Sequence, residues 1–292
     1  MAELKFHFVG QDAGYQASAV VMLKRCFDEW CCFESIYGRV FPFRELSFVA
    51  ETASGQLVGH VGVMPFEMVS VDGGCLKCAG VASVGTDPDF RNRGIAAELC
   101  QMASQWAQSE HYDLMPLYTS LNRVYSSVGW RDYFDPVLRL NNPRPVEDVP
   151  GKRGCDLSAA EKRHIMEKYA ESARFPGYVR RTEQGDFNSW SRIFSEEIMR
   201  WHLESDGYAM TIDGVLAELA APAGRAADLA RVARQTFLSV RHPAASELRD
   251  SNWTETLPAL AADCRHGENV MVKTLSTLTE LAPIFFSLTD KF

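Results

Sequence analysis

Apolar and polar positions along the first half of the chain change period several times, and each change marks an element. Leu4 to Val9 reads as a strand, Val20, Leu23, Phe27 and Trp30 fall on one face of a helix, and Leu46 to Glu51 returns to strand character. Ala53-Ser54-Gly55 turns into apolar runs from Gln56 to Val63 and from Phe66 to Val71. Asp72-Gly73-Gly74 is a hairpin signal, and Leu76 to Val84 comes back as the partner strand. Ile95, Leu99, Met102, Ala103 and Trp106 then recur at helical spacing, so one face of that helix packs on a sheet. Leu114 to Ser120 is a further strand, and Asn122 to Trp130 a short helix ending at Gly129.

Asn141 to Gly151 carries prolines and polar residues that oppose regular structure. The expected organisation is therefore a domain over 1–142, a linker over 143–153 and a second domain over 154–292. In the second part Ser158 opens a helix through Ile165 and Tyr169, and Trp190, Ile193, Phe194, Glu197 and Trp201 mark another with a mostly apolar stripe. Tyr208 to Ile212, Asp213-Gly214 and Val215 to Ala221 read as a hairpin, followed by a helix from Ala226 to Leu238. Trp190 and Trp201 are expected in a core rather than against a substrate, and Trp253 has no assigned place.

Composition narrows the classes without choosing one. The chain has 292 residues, 46% of them hydrophobic, which suffices for two cores. No apolar run reaches the length of a membrane span and no basic, then apolar, segment opens the chain, so a cytoplasmic protein without membrane partners is expected. The net charge of −8 argues against general nucleic-acid binding and suits a cationic substrate. Reduced thiols are expected for the eight cysteines. Cys75-Leu76-Lys77-Cys78 has no second pair at zinc spacing and lies on a strand, where side chains three apart face opposite sides, so no metal is expected. Formation of a homo-oligomer is left open.

The most informative stretch runs from Val84 to Leu99, a strand, a Gly-containing turn and a helix start. Backbone N–H groups at such a turn lack intrahelical partners and converge on an anion. Gly94 and Ala96 are small enough to let a diphosphate approach the main chain, and Arg91 and Arg93 add positive charge.

Arg91-x-x-Gly94-x-Ala96 after a Val-rich strand resembles the acyl-CoA signature, Q/R-x-x-G-x-G/A, of the GNAT N-acetyltransferase superfamily, and Tyr125-x-x-x-Gly129-Trp130 resembles a second landmark of that family. The element order matches over about 140 residues. The resemblance implies an α/β (α+β) fold, a mixed and mostly antiparallel sheet flanked by helices, with a second α/β domain appended. It implies that acetyl-CoA is held by Val84, Gly85, Thr86, Arg91, Asn92, Arg93, Gly94, Ile95, Ala96 and Asn122, and that Tyr125 protonates the departing thiolate. A tyrosine packing its ring on the sheet is the alternative at 125.

The second part resembles a degenerate, CoA-free copy of the same module, because Pro222-Ala223-Gly224-Arg225-Ala226-Ala227 lacks the signature spacing. An unrelated α+β domain is the alternative. Together these features are similar to the Eis-type (enhanced intracellular survival) branch, whose third, sterol-carrier-like module has no room here. In that branch the base is the terminal carboxylate, which points to Phe292 at the end of an apolar tail. Many GNAT enzymes place a Glu before the pyrophosphate loop, but Ala82, Ser83, Val84, Gly85 and Thr86 stand there. His60 is the second candidate base, with a structural strand-end role as its alternative.

Asp87 is expected to cap the turn and Glu67 to face solvent. Phe27, Trp30, Phe33 and Tyr37 belong to the segment that covers the acceptor cleft in the family, and Glu29 and Glu34 read as solvated charges, with contact to a cationic amine as the alternative. The implied activity is transfer of acetyl from acetyl-CoA to a primary amine of a small molecule or peptide by direct attack. A longer acyl donor and a non-catalytic CoA sensor are the alternatives.

Overall fold

The computed structural model describes residues 3–27, 45–133, 137–141, 151–183, 188–212, 214–222, 224–233, 235–239, 254–257 and 269–276. In chain order the elements are β1 (Leu4–Gly10), α1 (Ala13–Cys26), β2 (Leu46–Thr52), β3 (Leu57–Val69), β4 (Cys75–Thr86), α2 (Ile95–Ser109), β5 (Leu114–Thr119), α3 (Asn122–Ser126), β6 (Arg131–Asp132) and β7 (Val137–Asn141). They continue with α4 (Ala159–Ser172), β8 (Val179–Arg180), α5 (Trp190–Ile193), β9 (Met199–Leu203), β10 (Tyr208–Ile212), β11 (Val215–Ala220), α6 (Ala226–Ala230), β12 (Gln235–Ser239), β13 (Thr254–Leu257) and β14 (Asn269–Thr274).

The first sheet has the order β1-β2-β3-β4-β5-β14-β6, with β8 pairing the far end of β3. All its pairings are antiparallel except β4 with β5. β3 is one continuous strand, although Pro65 lies within it. The last β2 pair is Leu46 with Val63 and the first β8 pair is Glu67 with Arg180, so the N–H that proline lacks falls where no neighbour needs it.

Helices cover both faces. On one, α2 lays Ile95, Leu99 and Ala103 against Phe48, Val61, Val81 and Leu117. A Cβ at Gly59 would collide with Ile95, so the missing side chain is what lets α2 dock this closely. On the other face α1 packs Ala19, Met22 and Leu23 against Val49 and Leu57. Asp12 opens α1 by accepting from the N–H groups of Gly14 and Tyr15. The helix stops at Cys26 with Phe27 extended at φ −130, which shortens the helix expected through Trp30. Trp30, Phe33, Tyr37, Glu29 and Glu34 lie outside the described residues.

The second sheet runs β13-β7-β12-β11-β10-β9, and only β11 with β12 is parallel. The expected hairpin is present as β10 and β11. Two expected helices are cut short. The stripe from Trp190 to Trp201 forms α5 only to Ile193, and Trp201 lies on β9 opposite Met210. The helix from Ala226 ends at Ala230, and β12 begins at Gln235. Trp190 and Trp201 are both buried. Trp253 is outside the described residues.

Sheet membership does not follow chain order. β7 pairs with β12 and β13 in the second sheet, whereas β14 lies between β5 and β6 in the first. Lys273 on β14 fastens this insertion by donating to Ser104 Oγ of α2 at 3.0 Å and to the Val128 carbonyl at 2.8 Å. No helix among the described residues is long and apolar enough to cross a membrane.

Candidate active site

The parallel neighbours β4 and β5 pair at Cys78 with Leu114 and at Val81 with Leu117, and at no later position among the described residues. Both strands nevertheless run on, to Thr86 and Thr119. The carboxyl ends of two parallel strands thus part inside a sheet. That leaves main-chain groups of β4 without a strand partner on the β5 side, as a ligand rich in amides requires.

A bulge shapes the β4 wall of this opening. His60 pairs with Gly85 and Gly62 with Ala82, so Ser83 and Val84 together oppose Val61 alone. Ser83 takes φ 50, a left-handed conformation unusual for a residue with a side chain. Ser83 and Val84 are half-buried, Val84 packing on the core beneath α2. Gly85 is buried, and a Cβ there would meet Leu23 of α1 at 2.6 Å.

The loop after β4 is held by its own charges. Asp87 accepts from Asp89 N–H at 3.0 Å, the expected turn cap, and its N–H donates to the Val58 carbonyl at 2.9 Å. Asp87 also pairs with Arg25 of α1, which sequence patterning did not reveal. Arg91 donates to the Thr86 carbonyl at 3.4 Å, and Arg93 lies over the Phe90 ring with a contact to the Asp89 carbonyl. Asn92 at φ 60 and Gly94 at φ 78 turn the main chain so that Gly94 becomes the cap of α2 without any side-chain cap. The first intrahelical acceptor is the Gly94 carbonyl, reached by Glu98 N–H at 3.0 Å, which leaves the N–H groups of Ile95, Ala96 and Ala97 outside the helix ladder. Open space surrounds the position of a Gly94 Cβ, and residues 91–94 are exposed. This is the geometry of an anion nest at a helix start. Ile95 takes part through its main chain only, since its side chain is buried in the core.

Tyr125 sits on α3 with a ring that is 8% exposed, edge-on to Trp130 at 6.3 Å between centroids. Trp130 is fixed in turn by donating to the Met115 carbonyl of β5 at 2.9 Å. Asn122 opens α3 and donates to Asp132 at 2.5 Å.

His60 is fully buried on β3. Its Nδ1 lies 2.8 Å from the Ser83 carbonyl and its Nε2 3.1 Å from Ser47 Oγ. Burial pulls its pKa down to about 4, against a small upward pull from the Ser83 carbonyl. An imidazole held this way braces the bulge. Phe292 lies outside the described residues. Glu45, at the entry to β2, went unnoticed in the sequence: it is buried and accepts from Ser83 Oγ at 2.7 Å. A trace of it in the chain is Gly62, a glycine within an apolar strand, where a Cβ would overlap the Glu45 carboxylate.

Cys75 is exposed and Cys78 buried, on opposite sides of β4. Among the described residues no group of three His, Cys, Asp or Glu side chains is placed to hold a metal ion.

Comparison with known proteins agrees with this fold. The chain is similar in fold to a GCN5-related N-acetyltransferase from Anabaena variabilis, with a TM-score of 0.66 and 15% identity over 93% of this chain and 73% of that one. A GCN5-related N-acetyltransferase from Kribbella flavida gives 0.62 and 16% over 94% and 71%, and Eis1 from Mycobacterium abscessus gives 0.61 and 14% over 94% and 74%. No curated protein matches the chain by sequence. The segment 42–132 matches the acetyltransferase (GNAT) domain family, and it contains the strand opening, the anion nest and Tyr125. Over residues 42–132 the chain thus matches a GNAT acetyltransferase domain, and its fold is similar to that of GCN5-related N-acetyltransferases.

Proposed function

We propose that the protein transfers an acetyl group from acetyl-CoA to a primary amine of a small molecule or peptide. The observation that carries this reading is that β4, where it parts from β5, runs on into the loop that ends in the nest at Gly94. A long ligand with amides in its middle and a diphosphate at one end is complementary to both. Val84, Gly85 and Thr86 offer main-chain groups to the amide portion. Arg91, Asn92, Arg93, Gly94, Ile95 and Ala96 are assigned to the diphosphate, and Asn122 at the start of α3 to the same ligand.

The acceptor attacks as a neutral amine. Its lone pair forms the C–N bond, the C–S bond breaks, and the sulfur takes a proton. Tyr125 is the proton donor: a phenol with an ordinary pKa of about 10 can protonate a thiolate of about 8.5 when it is placed beside it. His60 supports the bulge.

The residues after 142 resemble a second copy of the module in their order. The β10–β11 hairpin, α6, and β12 parallel to β11 repeat the β3–β4 hairpin, α2, and β5 parallel to β4. We read 1–142 as the catalytic unit, 143–153 as the linker and 154–292 as a degenerate module without a CoA loop. That module completes the first sheet through β14.

The test is release of free thiol from acetyl-CoA in the presence of a polyamine, an aminoglycoside and a lysine-containing peptide. Turnover of any of them supports the reading. Turnover only with longer acyl thioesters changes the donor. Thermal stabilisation by acetyl-CoA with no turnover turns the protein into a CoA sensor.

A further inference from the structure

Glu45 is a carboxylate 93% removed from solvent by its 7% relative exposure, and no cation pairs with it among the described residues. One oxygen accepts from Ser83 Oγ at 2.7 Å. The other, Oε2, has no hydrogen-bond partner among the described residues. The carboxylate occupies the space above Gly62 that any side chain there would fill. It therefore reaches, from just before β2 and across β3, the bulge on β4 where Ser83 is half-buried at φ 50 beside the strand opening.

A buried carboxylate with an unused oxygen is a poor structural brace, because desolvation costs more than one neutral hydrogen bond returns. It is a suitable place to store a proton. Resting on the acetyl-transfer reading above, we propose that Ser83 and Glu45 form the proton path for the acceptor amine. The Ser83 hydroxyl accepts a proton from the ammonium as it passes its own to Glu45. One N–H bond breaks, a proton arrives on the Glu45 carboxylate, and the freed lone pair attacks the thioester carbon. The second nitrogen proton reaches the sulfur through Tyr125, which is left unchanged, and Glu45 later returns its proton to water. Glu45 acts through Ser83 and is a positioning residue in this scheme.

Among the described residues, burial and the Ser83 hydrogen bond are what act on the Glu45 carboxyl, and no charged side chain adds to them. From β3 the facing group is His60, kept neutral by burial. The titratable groups at the end of α1 are Lys24, Cys26, whose thiol burial raises, and Arg25, which is engaged with Asp87 and Asp89. The titratable groups on β4 itself, Cys75, Lys77 and Cys78, are at its other end. Burial lifts the Glu45 carboxyl from 4.5 to about 7, with the Ser83 hydrogen bond opposing, so both protonation states exist near neutral pH.

The experiment compares wild type, Glu45→Gln, Ser83→Ala and the double variant by kcat/KM between pH ~5.5 and ~9.5 with the best amine of the panel. Wild type is expected to show an acid limb centred near 7. Each single variant should lose about ten- to a hundred-fold at neutral pH, with the limb displaced upward to the ionisation of the amine, and the double variant should lose no more than either. Acetyl-CoA affinity by calorimetry should stay within about two-fold, because neither side chain is assigned to the donor in this scheme. A Glu45→Gln enzyme with the wild-type limb and rate overturns the path and leaves the acetyl-transfer reading standing. A wild type that turns over no amine removes that reading and the path with it. Should Glu45→Gln not fold, carbon-13 NMR of glutamate carboxyls in wild type and Ser83→Ala decides: absence of a resonance titrating near 7 overturns the path.

Discussion

Arg25, in the last turn of α1, reaches across 62 residues of sequence to place a guanidinium nitrogen 2.5 Å from the Asp87 carboxylate, while its other terminal nitrogen meets Asp89 at 2.9 Å. Asp87 is almost fully buried, so this pair ties the helix on one face of the sheet to the start of the loop that becomes the anion nest. Removing the guanidinium leaves a buried carboxylate without its cation, which costs more than the ion pair itself gains.

Arg25→Ala is accordingly expected to lower the melting temperature and to weaken acetyl-CoA binding by about ten-fold, less than the hundred-fold that a displacement of about an ångström can cost at a reacting centre. Arg25→Lys should recover part of the loss through Asp87 alone, because a lysine cannot reproduce the two-pronged contact. Calorimetric titration of both variants with acetyl-CoA checks this.

Gly94 makes a sharper test of the nest. At φ 78 any other residue is strained, yet space around its Cβ is open, so two substitutions separate strain from obstruction. Gly94→Ala should fold and bind acetyl-CoA more weakly. Gly94→Glu should abolish binding by adding bulk and negative charge where the diphosphate belongs. Near-native affinity in a folded Gly94→Glu protein would mean that the diphosphate binds elsewhere.

Tyr125→Phe keeps the ring that packs edge-on against Trp130 and deletes only the hydroxyl. If that hydroxyl protonates the thiolate, kcat should fall by roughly ten- to a thousand-fold with acetyl-CoA affinity nearly unchanged. An unaltered kcat with a raised KM would assign Tyr125 to packing or binding instead.

These residues differ in how plainly the chain announces them. The nest was legible because turn residues, small residues and arginines fall within a few positions of one another between a strand and a helix. The strands up to β5 were legible because Gly55 and the Asp72-Gly73-Gly74 turn separate runs of clear period. The stripe from Trp190 to Trp201 misled because apolar residues three and four apart suit a helix face, while Trp201 in fact alternates with its neighbours on β9 and owes its burial to β10. Contacts made at long range left no local trace. Arg25 finds Asp87 across 62 residues and Ser83 finds Glu45 across 38, and no periodicity encodes either pairing. The placement of β14 inside the first sheet is invisible for the same reason.

The last prediction concerns stability and is independent of catalysis. Burial raises the Glu45 carboxyl from 4.5 to about 7, so between these values the native state holds a proton that the unfolded chain has released. Stability rises with pH only where the unfolded state binds more protons, and here it binds fewer, so Glu45 subtracts stability as pH rises through this window. The penalty is absent below the unfolded value and complete above about 7, amounting to about 1–3 kcal/mol for a shift of this size. Glu45→Gln cannot ionise. Its amide carries its own cost for an unpaired buried N–H, but that cost does not change with pH. His60, whose lowered pKa destabilises the native state as pH falls from about 6.5 toward 4, acts equally in both proteins and cancels in the difference. The stability of Glu45→Gln relative to wild type should therefore improve by about 1–3 kcal/mol between pH ~5 and ~8, measured by chemical denaturation at both values. A difference that stays constant across that range would show that the Glu45 carboxyl ionises as freely in the folded protein as in the unfolded chain.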